Sequence, residues 1–171
     1  MSEFASVNGT AEKTTLADGS VDLVVAAQAF HWFRSDDARK EIVRITRAPH
    51  VCALVWNERL VDTPFLRAYE AALHAHAIDY DKVDHRNVDR ARLDAFFRGP
   101  FETSTFENAQ RFDRAGFIGR ALSSSYVPQH GHEKHDAMMA ALDRIFDEHA
   151  EDGRVDFRYT TSVHIGRLAE S

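Results

Sequence analysis

Residues 21–27, Val-Asp-Leu-Val-Val-Ala-Ala, form a nearly unbroken apolar run of strand length. The turn signal Asp18-Gly19-Ser20 precedes it, and Gln28-Ala29-Phe30-His31-Trp32-Phe33 follows it. A run with so little alternation does not suit a sheet with one wet face. It suits a central parallel strand covered on both faces, and hence an α/β architecture.

The chain beyond this run supports that class. Ser35 is the expected N-cap of a helix, with Asp36 and Asp37 in the first turn, where the helix dipole favours anions. Ala38, Ile42 and Ile45 recur at helical spacing, and Pro49 ends that stretch. Residues 51–56 read as the next buried strand, which completes a strand–helix–strand unit. Thr63-Pro64 opens another helix, with Thr as cap, Pro in the first turn and Leu66, Tyr69 and Leu73 as its apolar stripe. Residues 74–87 read as a solvated helix end and loop. Asn87 or Asp89 caps a short helix carrying Leu93, Phe96 and Phe97, which Gly99-Pro100 breaks.

Residues 103–112 are expected as a strand and 113–121 as a short helix or turn. Met138, Leu142, Ile145 and His149 mark one face of a later helix, with Met139 and Phe146 alongside. After the turn Glu151-Asp152-Gly153, Val155, Phe157, Tyr159, Thr161, Val163 and Ile165 alternate with polar residues, the period of an antiparallel strand. Near the start, residues 4–8 read as a short strand. The whole is expected to form one domain over 171 residues, an α/β sheet with an antiparallel C-terminal edge region.

Charge and cysteine content narrow the function. The net charge of −6 argues against a general nucleic-acid binder, which carries a basic face. No apolar stretch is long enough to cross a bilayer, and no membrane partner is expected. Cys52 is the single cysteine, so an internal disulfide is excluded and a reducing, cytoplasmic setting fits. It lies in an apolar run and reads as a buried small hydrophobe rather than a nucleophile.

Several segments together resemble the class I S-adenosylmethionine-dependent methyltransferases, of the subgroup called methyltransferase type 11. Gly9-Thr10-Ala11-Glu12 resembles the family's Gly-Asp-Ala-Glu segment after its third strand. Residues 18–24 resemble the approach to its fourth strand, and Gln28-Ala29-Phe30-His31-Trp32-Phe33 the loop after it. Asn57-Glu58-Arg59 follows what would be the fifth strand. Phe112-Asp113-x-x-Gly116 and Leu122-Ser123-Ser124-Ser125-Tyr126 resemble later segments.

The chain departs from the pattern in three places. Thr10 stands where many relatives have Asp, Ala48-Pro49-His50 replaces a Pro-Gly-Gly-type turn, and no Gly-x-Gly occurs. In such folds those glycines let the backbone approach the ligand closely. The resemblance therefore implies a partial Rossmann-like methyltransferase sheet, mostly parallel, that begins at the family's third strand. It implies the C-terminal two-thirds of the domain, with residues 63–100 as acceptor-cap helices. It also implies that the edge of residues 21–27 is unpaired and available to a second copy.

On that resemblance the cofactor is S-adenosylmethionine, held weakly or not at all by this chain. Thr10, Ala11, Glu12, Gln28, Ala29 and His31 would line its surviving wall. Trp32, Asn57 and Arg59 would face a small-molecule acceptor, and His31 is a candidate general base. Each has a plainer reading. Phe30, Trp32 and Phe33 also read as a packing cluster, Glu12 holds a backbone amide or ribose hydroxyl or is solvated, and Asn57 and Arg59 serve a turn as well. The implied activity is methyl transfer by direct displacement. The alternative is an inactive methyltransferase-like fragment acting as a dimeric scaffold or partner. No metal is expected: His130, His132 and His135 read as a solvated loop, and Asp79, Asp81, Asp84 and His85 are weaker still.

Overall fold

The computed structural model describes residues 4–80 and 89–169. Its elements run β1 (Val21–Ala27), a 3-10 turn (Phe30–Trp32), α1 (Ser35–Ile45), β2 (Thr46–Arg59), α2 (Pro64–His76), α3 (Arg90–Phe97), β3 (Phe101–Phe112), α4 (Arg114–Leu122), α5 (His135–His149) and β4 (Val155–Arg167). The strands form one sheet in the order β1-β2-β4-β3. The fold is mixed α/β, as the alternation of strand and helix patterns requires.

β1 pairs with β2 in parallel, with Leu23 opposite Val51 and Ala27 opposite Val55. The helix α1 makes the crossover between them. β4 runs against β2. The Leu60 N–H donates to Arg158 O at 2.9 Å, and the Leu168 N–H to His50 O at 3.0 Å, so one numbering falls as the other rises. β3 runs against β4 by the same logic: Thr103 meets His164 at 2.9 Å and Gln110 meets Tyr159 at 3.3 Å. Among the described strands the parallel part is the pair β1–β2, and the antiparallel region is β4 with β3.

The chain divides into two compact units. The first comprises Met1–Asn57, Arg86–Phe106 and Thr161–Ser171, and the second Glu58–His85 and Glu107–Thr160. The first unit's core gathers Ala26, Phe30, Ile42, Cys52, Leu54, Leu93, Phe96, Phe97 and Leu168. In it α1 packs against α3. Asp89 caps α3 by accepting from the Arg92 N–H at 2.7 Å, which resolves the choice between Asn87 and Asp89.

The second unit's core is aromatic. Phe157, 1% exposed, has the rings of Phe65 and Tyr69 edge-on at 5.2 and 5.1 Å. Around it α2 and α4 pack on α5. Thr63 caps α2, accepting from the Leu66 N–H at 3.1 Å, with Pro64 in the first turn. Asp113 does the same for α4 through the Gly116 N–H at 2.8 Å.

Five expectations need correction. Residues 4–8 form no strand; they are exposed, and a strand needs a neighbour to satisfy its backbone. β1 is not covered on both faces: it is terminal in the sheet, with Leu23 46% and Val25 55% exposed. Ser35 is the first helical residue of α1 rather than its cap; Arg34 takes the cap position, with no capping bond from its side chain. The second strand runs from Thr46 to Arg59, past both ends of residues 51–56, because pairing with β4 continues where apolar content stops. In β4 the alternation of burial holds from Val155 to Tyr159, then gives way to residues half-buried on both faces. Asp81, Asp84 and His85 lie outside the described residues.

Candidate functional site

The site residues of the first unit collect at the carboxyl ends of β1 and β2. The chain leaves β1 at Gln28, whose φ of +52° turns it sharply. Its N–H still donates to Val55 O at 3.0 Å, and its side-chain amide donates to Asn57 O at 3.0 Å. Asn57 in turn accepts from the Thr161 hydroxyl at 2.7 Å through Oδ1. Gln28 and Asn57, 29 positions apart, are thus brought together by the parallel register.

The 3-10 turn follows. Phe30 is its anchor, 1% exposed, with the Phe96 ring at 4.9 Å and the Phe33 ring at 5.8 Å. His31 lies against Trp32 at 4.5 Å and meets the Trp56 ring edge-on at 5.3 Å. Trp32 itself is 78% exposed. Partial burial, and then the positive charge of Arg92, hold the His31 pKa below its ordinary 6.5. Both causes favour the neutral imidazole, the form that can accept a proton. Arg92 also clamps the turn: its Nη2 donates to Phe30 O at 3.1 Å, and its guanidinium carbon lies 4.8 Å from the Phe30 ring centre.

The Thr10 segment forms a tight turn closed by reciprocal backbone bonds with Lys13, at 3.0 and 3.1 Å. Gly9 allows it, since a Cβ there would stand 2.8 Å from Lys13 O. Glu12 holds a backbone amide: its Oε1 accepts from the Arg34 N–H at 3.0 Å, which lowers the carboxyl's pKa. Next to the turn, Glu41 Oε1 accepts from the Thr14 N–H and the Thr14 hydroxyl, both at 2.7 Å. Arg44 closes the knot with Nε on Glu41 Oε2 at 2.9 Å and Nη2 on Leu16 O at 2.9 Å. Arg44 and the Thr14 bonds hold the Glu41 carboxyl down at about 2.

Between these pieces lies a pocket of about 340 Å3, lined by Ala11, Thr14, Val24, Val25, Ala26, Ala27, Ala29, Phe33, Ile42 and Ile45. Ala11 and Ala29 were expected at such a wall. Ile42 and Ile45 announce themselves only as a helical stripe. Two residues that brace these segments carry no readable signal: Arg92, because its bond to Phe30 crosses 62 positions, and Glu41, because Thr14 is 27 positions away.

Arg59 belongs to the second unit and is engaged there. Its Nη2 pairs with Glu70 and donates to Tyr80 OH at 2.9 Å, and its guanidinium carbon lies 4.7 Å from the Tyr69 ring centre. Its Nη1 is buried without a hydrogen-bond partner among the described residues. The histidine loop is held by its own backbone: the His135 ring bonds Pro128 O at 2.9 Å, and the Lys134 N–H donates to His132 Nδ1 at 3.1 Å. Among the described residues no group of three ligand-type side chains is placed to hold a metal, and no helix is long and apolar enough to cross a membrane. Cys52 is fully buried, which pushes its thiol up to about 12.

Comparison with known proteins bears on this arrangement. Residues 2–52 match the family described as a methyltransferase domain. An uncharacterized methyltransferase-like protein of Schizosaccharomyces pombe is 39% identical over 71 residues, 42% of this chain and 28% of that protein. An uncharacterized methyltransferase of Mycobacterium tuberculosis is 47% identical over 51 residues, 30% of this chain and 21% of that protein. The matched stretch thus spans about a quarter of these relatives' length. A proposed type II methyltransferase from Anaeromyxobacter dehalogenans shares the fold, with a TM-score of 0.57 and 23% identity, over 95% of this chain and 71% of that one. The stretch that matches the methyltransferase domain family spans β1 and reaches into β2.

Proposed function

We propose that this chain serves methyl transfer from S-adenosylmethionine to a small-molecule acceptor, in a cytoplasmic setting. The observation that carries the reading is the meeting of Gln28 and Asn57, at 3.0 Å, at the carboxyl ends of two parallel strands. Ligands of open α/β sheets bind at such ends.

The residues present fit part of such a cofactor. The apolar walls around Ala11, Val24, Ala29 and Phe33 suit a flat heterocycle. The Thr10 hydroxyl can accept from an exocyclic amine, although without the charge a carboxylate would lend. Glu12 acts one step back, since it fixes the Arg34 amide and so the approach to α1. The bound cofactor supplies a methyl group on a positively charged sulfur. Trp32 and Trp56, beside His31, present aromatic faces that attract such a cation. His31, kept neutral, can take a proton from the acceptor. Proximity and in-line orientation supply the rest of the acceleration. Asn57 and Trp32 face the acceptor.

A second reading is favoured by the exposure of Leu23 and Val25 on β1. In it the chain binds cofactor poorly and acts as a scaffold or partner. Calorimetric titration of the folded chain with S-adenosylhomocysteine decides between them. Binding near micromolar, about −8 kcal/mol, that weakens with Gln28→Ala supports the enzyme. No binding by a chain with native circular dichroism refutes it and leaves the scaffold.

A further inference from the structure

We draw no further inference here: the strongest candidate, the side-chain cluster of Arg59, Glu70 and Tyr80 in the second unit, leaves Arg59 Nη1 without a hydrogen-bond partner among the described residues, but that atom is closed to solvent and nothing in the structure shows what would reach it.

Discussion

Replacing Glu41 by Gln should destabilise the first unit by about 2 kcal/mol at pH 7, and the difference should vanish in acid. Glu41 is 8% exposed and lies at the centre of a knot. It accepts from Thr14 twice and from Arg44 through both carboxylate oxygens. A carboxyl held at about 2, against its ordinary 4.5, corresponds to roughly 3 kcal/mol favouring the folded, charged form. Gln keeps the shape and one oxygen but loses the charge that strengthens each bond, so part of that survives. The unfolded chain takes up its proton near 4.5 and the native chain only near 2. The contribution is therefore whole above pH 5 or so, and it drains away as pH falls through the native value. Urea denaturation followed by tryptophan fluorescence reads the right unit, since both tryptophans, Trp32 and Trp56, lie in it. A difference under about 0.5 kcal/mol at pH 7 would refute the reasoning. So would a difference that stays constant down to pH 2.5. The outcome matters for the site, because Glu41 fastens Thr14 beside the turn that carries Thr10, Ala11 and Glu12.

Asp89→Ala removes the α3 cap and should cost about 1 kcal/mol in the same assay, with Asp89→Ser restoring most of it. Phe157→Ala empties the centre of the aromatic core and should cost about 3–5 kcal/mol, read by near-ultraviolet circular dichroism during urea unfolding. Cys52 should resist a thiol reagent at pH 8 in the folded chain and react fully in urea, since burial holds its thiol protonated at about 12. The His31 ring should titrate below 6.5 by NMR, and Arg92→Ala should raise that midpoint by removing a nearby positive charge; an unmoved midpoint would deny the clamp its electrostatic role.

Local chemistry was readable wherever one segment decided its own structure. Thr63-Pro64 announces α2, and the boundaries of β1 coincide with the apolar run because a turn closes one end and Gln28 the other. The errors fall where a distant partner decides. Ser35 looks like a cap, but Glu12 binds the preceding amide, at Arg34, and shifts the start of α1. β2 runs past its apolar residues because β4 offers hydrogen bonds along its length. Gln28 is a candidate through the family resemblance, and Asn57 through the rule that chemistry gathers at carboxyl ends of parallel strands; the structure brings the two together. Arg59 was placed by the same rule, yet it turns to Glu70 and Tyr80, partners that no spacing in the sequence reveals.

The run that demanded cover on both faces has cover on one, and that mismatch is informative. The described residues include nine exposed large hydrophobics: Phe4, Val7, Leu23, Val25, Trp32, Val61, Ile78, Phe106 and Ile165. Five of them fall within residues 2–52, the stretch that matches the methyltransferase family and makes up under a third of the chain. Scattered apolar residues on a surface need no explanation; Val25, exposed and lining the pocket, does. Folding alone does not account for it, since an exposed Leu or Val contributes little to stability. Apolar surface kept at a sheet edge also carries a standing risk of misassociation. Its presence there fits a surface whose apolar character serves a ligand along the pocket walls.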